Sequence, residues 1–236
     1  MDVPRPAASG PPWPSPDVPR PPLEEPRTVA EAEAIQDRLR GLVVTEGAPV
    51  PRTVAGLDVA YAGDRLAGAV VVLDAATLAP LDEATVVDTP RFPYVPGLFA
   101  FRELPALVTA LDKLTTRPDL LVADGYGLAH PRRFGLACHL GVLTGLPAVG
   151  VGKTPFVGTA AEPGPERGDR SDLVHEGEVV GRALRTRTGV KPVYVSVGHL
   201  IGIEEACALV LHLTPRYRLP ETTRRADHLS RLALRG

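Results

Sequence analysis

The sequence has 236 residues, is 44% hydrophobic and carries a formal net charge of −2, which suits a globular domain with a full core. No apolar run reaches the length of a membrane span, and no basic-then-apolar signal opens the chain. Cys138 and Cys207 lack companion ligands at zinc-like spacing, so we predict two reduced, buried thiols. These features predict a cytoplasmic protein with no membrane partner.

Charge is distributed unevenly along the chain. Residues 1–123 contain 11 basic and 17 acidic side chains, whereas residues 124–236 contain 15 basic and 11 acidic ones. The second half is therefore the better candidate for contact with a polyanion.

The first 26 residues include ten prolines among small and polar residues. Such a composition lacks the apolar surface needed for a packed element, so we predict a disordered, Pro-rich tail at residues 1–26. The folded domain is expected to cover residues 27–236.

A helix and a group of strands are predicted next. Thr28 to Glu31 reads as a capping box, followed by apolar residues at helical spacing, which predicts a helix over about 29–44. Short turns then separate three strand-like segments, which predicts an antiparallel meander rather than crossover connections. The three strands are expected at 53–61, 68–74 and 84–88, and a second helix follows to about 114.

The segment from Asp119 to Lys153 contains the main candidate for a functional edge. A short apolar strand at 120–123 is followed by Asp124, and a second apolar strand at 148–151 is followed by Lys153. Pro131 favours a helix between them, over about 132–144. Because ligands bind at the carboxyl ends of strands in open α/β sheets, the acid and the amine are expected at one metal- and phosphate-binding edge.

The remaining elements complete an α/β pattern. Residues 159–172 are rich in Gly, Pro and charge and predict a surface excursion. Beyond it we expect a hairpin over 174–187, a strand at 193–196, and helices at 203–213 and 222–234. Three meander strands, then alternating helices and strands with a terminal helix, predict a ribonuclease H-like fold, with a mixed central sheet flanked by helices.

Four acidic residues lie where that fold brings its chemistry together. Asp58 interrupts an apolar strand, Glu103 opens a helix, Asp124 ends a central strand and Asp227 lies in the terminal helix. Carboxylate oxygens suit Mg²⁺, with Mn²⁺ as a substitute. A charge inside a buried strand is unfavourable unless it is paired or metal-bound, which favours a site role for Asp58. Glu103 equally fits an ordinary first-turn acid, and Asp227 alone fits a surface charge.

Five segments together resemble the successive motifs of the endonuclease V family, the deoxyinosine-specific repair nucleases, over about residues 54–230. They are VAGLDVAY, RFPYVPGLFAFRE, VADGYGLAHPRRFGLACHLGVLTGLPAVGVGK, VYVSVGHLIGIEEA and RYRLPETTRRAD. The resemblance implies a ribonuclease H-like fold and Mg²⁺-dependent hydrolysis of the second phosphodiester bond 3′ to the lesion. It makes residues 27–236 the catalytic domain and predicts a monomer that binds deoxyinosine DNA, or inosine RNA.

The resemblance also implies residue roles. Asp58 and Asp124 are the expected metal ligands, Glu103 and Asp227 complete the acidic site, and His130 and Lys153 are polar partners near the scissile phosphate. Tyr94 resembles the wedge beside the extruded base, and backbone at Gly97, Gly125 and Gly135 would form the base pocket.

Two positions depart from the family pattern. Some relatives carry His where this chain has Asp227, which bears on metal preference because imidazole is a softer ligand. A Gln-like residue often stands where this chain has Tyr126, which bears on the pocket rim.

Other readings stay open. Asp124 fits a turn cap, His130 a helix cap and Lys153 a solvated amine, while Tyr94 fits either a core anchor or a rigid exposed aromatic held by Pro93 and Pro96. At the level of function, the alternatives are an inosine-RNA or structure-specific nuclease, a noncatalytic nucleic-acid-binding module and a small-molecule phosphohydrolase.

Overall fold

The computed structural model describes residues 21–235, in which one nine-stranded mixed sheet forms the centre of the molecule. The strand order is β3-β2-β1-β4-β5-β9-β8-β7-β6. The strands are β1 (Thr53–Ala62), β2 (Arg65–Asp74), β3 (Pro80–Asp88), β4 (Leu120–Asp124), β5 (Ala148–Gly152), β6 (Thr159–Ala160), β7 (Arg170–His175), β8 (Glu178–Leu184) and β9 (Val193–His199).

The predicted meander and parallel centre are both present. Strands β1, β2 and β3 pair antiparallel, while β1, β4 and β5 pair parallel. From β5 outward to β9, β8, β7 and β6, every pairing is antiparallel. The three central parallel strands therefore end at one edge, as expected for the strands that carry Asp124 and Lys153.

Helices cover both faces of the sheet, which confirms the predicted α/β arrangement. On one face, α2 and α3 pack against Ala55, Leu57 and Leu121, and on the other, α4 and α5 pack against Val54 and Val122. Helix α1 lies outside α2 and α3 over a separate apolar cluster. The helices are α1 (Val29–Leu39), α2 (Ala100–Asp112), α3 (Leu136–Thr144), α4 (Ile203–His212) and α5 (Glu221–Ala233).

Helix α5 packs unusually close to β1 at Gly56. A Cβ atom at this glycine would lie 2.2 Å from the backbone carbonyl of Thr222, which is far inside van der Waals contact. Only a residue without a side chain allows this approach. The absence of a side chain therefore sets the distance between β1 and the helix that carries Asp227.

The predicted start of α3 is wrong. The helix begins at Leu136 instead of Arg132, because Arg133 has a φ of 55° and Gly135 is extended at the N-cap position. Pro131 thus lies in a turn before the helix. The first helix is also shorter than predicted: α1 ends at Leu39, followed by one 3-10 turn, although Thr28 caps its start as expected.

The surface excursion predicted over residues 159–172 contains strand structure. Thr159–Ala160 pairs with Val174 and Leu173 of β7, and β7 itself begins at Arg170. The hairpin predicted after it is confirmed, with Glu176 and Gly177 turning between β7 and β8. Part of the excursion therefore forms the edge strand β6 and the start of β7.

Of the predicted tail, residues 1–20 lie outside the described residues. Residues 21–26 have no helix or strand, but Leu23 packs against the apolar cluster beneath α2. Glu24 pairs with Arg38, and Glu25 lies 2.6 Å from Arg91. Within residues 21–235, no helix is long and apolar enough to cross a membrane.

Candidate active site

Asp58, in the middle of β1, lies beside Asp124, the last residue of β4. The two strands are parallel, and Leu57 aligns with Ala123, so the next residue of each strand is an aspartate. Burial and the neighbouring charge of Asp124 raise the pKa of Asp58 to about 7. The Ser230 hydroxyl of α5 donates to Asp58 at 3.0 Å and counteracts that shift.

Glu103 is buried in the first turn of α2, with 5% of its surface exposed. Burial, followed by the charge of Asp58, raises its pKa well above the ordinary glutamate value. The Tyr61 hydroxyl donates to Glu103 at 3.2 Å, and the Arg102 guanidinium lies 5.1 Å from the Tyr61 ring centroid. A first-turn acid exposed to solvent would need none of these partners, so the geometry favours a site role.

Lys153, at the exit of β5, donates to Asp124 at 2.5 Å. Partial burial works against its protonation, but the hydrogen bond to Asp124 and the nearby carboxylates outweigh burial and raise its pKa. The amine therefore stays charged beside the acids. Its backbone carbonyl accepts a 2.6 Å hydrogen bond from Arg218, which fixes the segment that follows β5.

Asp227 lies near this edge but points partly away from it. Its carboxylate accepts from Arg231 at 2.8 and 3.0 Å, one helical turn further along α5. Its charge nevertheless contributes to the raised pKa of Asp58. Ser230 connects the two aspartates, because its hydroxyl contacts both the Asp58 carboxylate and the Asp227 carbonyl.

A pocket of about 400 Å³ opens beside the acids. Glu103, Asp124 and Lys153 line it, whereas Asp58 and Asp227 are outside its lining. The three glycines assigned to base binding all line it: Gly97, Gly125 and Gly135. Gly97 has a φ of 83°, a conformation that favours glycine.

Aromatic rings surround the mouth of the pocket. Tyr94 is 68% exposed and meets Phe99 edge-on at 5.5 Å, so the structure favours the exposed-aromatic reading over a core anchor. Across the pocket, Tyr126 stacks on Phe156 at 5.4 Å, and the Tyr126 hydroxyl donates to the Thr154 carbonyl. The pocket therefore combines acidic side chains in its lining with aromatic rings at its mouth.

His130 lines the pocket with both ring nitrogens engaged. Its Nδ1 accepts from the Arg132 backbone N–H at 3.2 Å, so Nε2 carries the proton and donates to the Gly97 carbonyl at 2.8 Å. Burial lowers the His130 pKa to about 4, which keeps the ring neutral near pH 7. In this arrangement His130 positions the Gly97 turn, and its role in proton transfer stays a prediction.

Three residues at this site escaped the sequence reasoning: Tyr61, Ser230 and Phe156. Tyr61 shares the period-two face of β1 with residues that pack on α2, which offered a signal for its contact with Glu103. Ser230 follows Asp227 by one helical turn, which offered another. Phe156 lies in a loop after Lys153, where no periodicity assigns it to the pocket.

The chemistry of the donors fits a hard divalent cation, although the side chains do not yet surround one. Burial and the charge of Asp124 raise the pKa of Asp58, and burial and the charge of Asp58 raise the pKa of Glu103, which favours a cation beside these carboxylates. Oxygen donors suit Mg²⁺ or Mn²⁺. Within residues 21–235, no three His, Cys, Asp or Glu side chains are arranged to hold a metal. Lys153 contacts one carboxylate oxygen of Asp124, which leaves the second oxygen of Asp124 to face a cation.

Comparisons with known proteins find similar sequences and structures over most of the chain. The endonuclease V of Nocardia farcinica is 60% identical over 219 residues, covering 91% of this chain and 96% of that protein. The crystal structure of the Streptomyces avermitilis endonuclease V has a TM-score of 0.87 at 57% identity, covering 91% of this chain and 96% of that one. Human endonuclease V has a TM-score of 0.81 at 34% identity, with coverage of 88% and 98%.

The fold and the acidic edge together define a nuclease with a ribonuclease H-like fold, as the element order predicted. The chain belongs to the endonuclease V family, whose profile matches residues 37–228. One further solved relative, endonuclease V of Ciona intestinalis, was crystallised with a 24mer DNA containing an inosine followed by a ribo-adenosine. That structure has a TM-score of 0.76 at 27% identity, covering 88% of this chain and 98% of that one.

Proposed function

We propose that this protein recognises deoxyinosine in DNA and hydrolyses the second phosphodiester bond on the 3′ side of the lesion, using Mg²⁺ or, as a substitute, Mn²⁺. The observation that carries the proposal is the pocket of about 400 Å³, in which glycine backbone lies directly beside Glu103, Asp124 and Lys153. A base held there would place its own strand next to the acids.

Asp58 and Asp124 are the residues that would hold the metal, with Asp227 contributing negative charge from α5. When bound, the metal supplies an activated water and stabilises the leaving oxygen. Lys153 neutralises charge on the scissile phosphate once Asp124 releases it. Glu103, whose pKa is raised by burial and by the charge of Asp58, positions water or transfers a proton.

Base recognition is assigned to the glycine-lined pocket and the aromatic rim. A base that pairs weakly requires less free energy to leave the duplex, which favours the lesion over normal bases. Tyr94 takes up the vacated stacking position, because it is exposed and held by its flanking prolines. Backbone at Gly97, Gly125 and Gly135 then contacts the edges of the base.

The test is a nicking assay on end-labelled oligonucleotides that differ only in one inosine, with Mg²⁺ and with EDTA. Cleavage at the second bond 3′ to inosine, with Mg²⁺ only, supports the proposal. The noncatalytic module predicts binding without a nick, and the phosphohydrolase predicts turnover of nucleoside monophosphates alone.

Inosine in RNA is the second candidate substrate, because the inosine of the Ciona intestinalis complex is followed by a ribonucleotide. Matched DNA, RNA and single-ribonucleotide substrates separate the two. Faster cleavage of the all-RNA substrate would make inosine in RNA the assigned substrate, in place of deoxyinosine in DNA. We expect a monomer located in the cytoplasm. The molar mass in solution, measured by static light scattering, tests the first expectation.

A further inference from the structure

Four basic side chains form a continuous surface next to Lys153, and the mechanism above uses none of them. We define this basic strip as Arg187, Lys191, Arg216 and Arg218. Arg218 donates to the Lys153 carbonyl at 2.6 Å and to the Lys191 carbonyl at 2.9 Å. Arg187 donates to the carbonyl of Arg216 at 3.2 Å, and Arg216 lies two residues before Arg218 in the chain.

The charges of the strip are not neutralised by the protein. The Arg187 and Arg218 side chains donate to backbone carbonyls, and within residues 21–235 none of the four side chains forms an ion pair with a carboxylate. The nearest acid of the same segment, Glu221, is already paired with Arg224 and Arg225. Positive charge therefore accumulates along the strip.

The shape of this surface suits an extended polyanion. Arg187, Lys191 and Arg216 are exposed, and a shallow groove of about 320 Å³ lies between Arg187, Arg216 and Arg167. Tyr217, also exposed, lies between the two strip arginines Arg216 and Arg218 in the chain. Arginines anchored through backbone carbonyls present their remaining N–H donors in fixed directions, which suits phosphate oxygens.

We propose that the basic strip binds the phosphate backbone of duplex DNA that extends beyond the bond held at Lys153. The proposal rests on the proposed function, because the DNA is taken to reach Lys153. Its contacts are to phosphates, so the strip adds affinity without reading sequence or lesion. It gives the second half of the chain, which carries the excess of basic residues, a definite binding face.

The test compares three variants with the wild-type protein by fluorescence anisotropy in EDTA, so that no cleavage occurs. The variants are the triple R187A/K191A/R216A, the charge-preserving triple R187K/K191R/R216K and, as a distant control, Arg52→Ala. Arg52 is an exposed arginine that immediately precedes β1, six residues before Asp58. Each protein is titrated with a labelled duplex, with or without inosine, over a range of salt concentrations.

For the alanine triple, we expect the slope of log affinity against log salt to become shallower by about 2 to 3 units, since each lost phosphate contact removes roughly 0.9. The loss should be equal on both duplexes, and the charge-preserving triple and Arg52→Ala should keep the wild-type slope. An unchanged slope in the alanine triple would overturn the proposal, as would a loss confined to the inosine duplex. If wild-type protein fails to nick inosine DNA yet the slope changes as expected, the proposed function fails and the strip stands.

Discussion

Two regions of the molecule bury titratable groups with strongly shifted pKa values, and only one of them opens onto a pocket. At the acidic edge, burial and the charge of Asp124 raise the pKa of Asp58, and burial and the charge of Asp58 raise the pKa of Glu103. In the core, His139 is fully enclosed between Phe101 and Phe134, with ring centroids 5.2 and 5.0 Å away, and neither of its nitrogens has a hydrogen-bond partner.

The difference shows which kind of buried polar group indicates function. Several like charges that share one edge beside a cavity are unfavourable for folding, and they become useful when a cation and a phosphate arrive. A single ring closed off by apolar neighbours has no such route, because no solvent or ligand reaches it. Variants at the edge should therefore change activity, and variants in the core should change stability.

The largest effect is expected at the acidic edge. Asp58→Asn or Asp124→Asn should reduce nicking of inosine DNA by roughly a thousandfold or more, because each removes charge that the metal requires. DNA affinity in EDTA should be largely retained, since phosphate contacts elsewhere supply it. Single-turnover nicking and anisotropy measure the two. Asp112→Asn, at an exposed acid that ends α2, serves as the control, and near-wild-type cleavage by either edge variant would remove it from the metal site.

A smaller effect is expected at the rim. Tyr94→Ala should weaken binding and nicking by roughly tenfold to a hundredfold at subsaturating enzyme, because a stacked base contributes about 1 to 3 kcal/mol. Tyr94→Phe should retain most activity, since the ring face survives. The loss should shrink on single-stranded inosine substrates, where less unstacking is needed. Equal losses for both variants would assign the effect to the hydroxyl instead.

The support beneath Glu103 should give a still smaller effect. Tyr61→Phe removes the one side-chain hydrogen bond that Glu103 receives within residues 21–235, while keeping the ring against Phe99. We expect single-turnover nicking to fall by about fivefold to tenfold, in line with roughly 1 kcal/mol for one hydrogen bond, with little change in DNA affinity. Tyr194→Phe is the matched control. A fall in affinity that equals the fall in rate would show that Tyr61 contacts DNA rather than Glu103.

The core should respond in stability alone. His139→Leu should raise the free energy of unfolding by about 1 kcal/mol or more, because it removes two buried nitrogens without partners, and nicking should be unchanged. His130→Leu should instead lower stability, since His130 uses both nitrogens. Urea denaturation of the three proteins checks the contrast, and a destabilised His139→Leu would mean that the aromatic contacts of the ring outweigh its desolvation.

The same histidine predicts a dependence on pH. Burial lowers the pKa of His139 from 6.5 to about 3, so between these values the unfolded chain binds a proton that the folded chain does not. Wild-type stability should therefore fall as the pH drops below 6.5, by up to about 1.4 kcal/mol per pH unit from this group. His139→Leu should lose that contribution. Parallel denaturation curves at pH 7 and pH 5 measure it, and an identical pH dependence in both proteins would contradict it.

Much of this arrangement follows from local sequence patterns. The alternating runs of β1 and β2, the apolar runs that end at Asp124 and Lys153, and the charge of Asp58 inside a strand all have local causes. The start of α3 does not, because the positive φ of Arg133 is supported by its contacts with Glu178 and His175, far along the chain. Helical spacing before Leu136 therefore predicted four residues too many.

The hydrogen-bond partners of the acids could not be predicted from local sequence patterns either, because they lie far away in the chain. Ser230 and Asp58 are separated by 172 positions, and Tyr61 and Glu103 by 42, so only the packed structure brings each pair together. The motif resemblance identified the acids but not their hydrogen-bond donors. These donors are the Ser230 hydroxyl of α5 and the Tyr61 phenol of β1.

Gly56 controls how closely α5 approaches β1. With no side chain between β1 and the Thr222 carbonyl, α5 rests directly on the strand and brings Ser230 within hydrogen-bonding reach of Asp58. A methyl group at position 56 would clash with the Thr222 backbone and push α5 away from β1. Because Ser230 and Asp227 both lie on α5, both would move away from Asp58. The spacing of the acidic side chains therefore depends on a glycine that does not line the pocket.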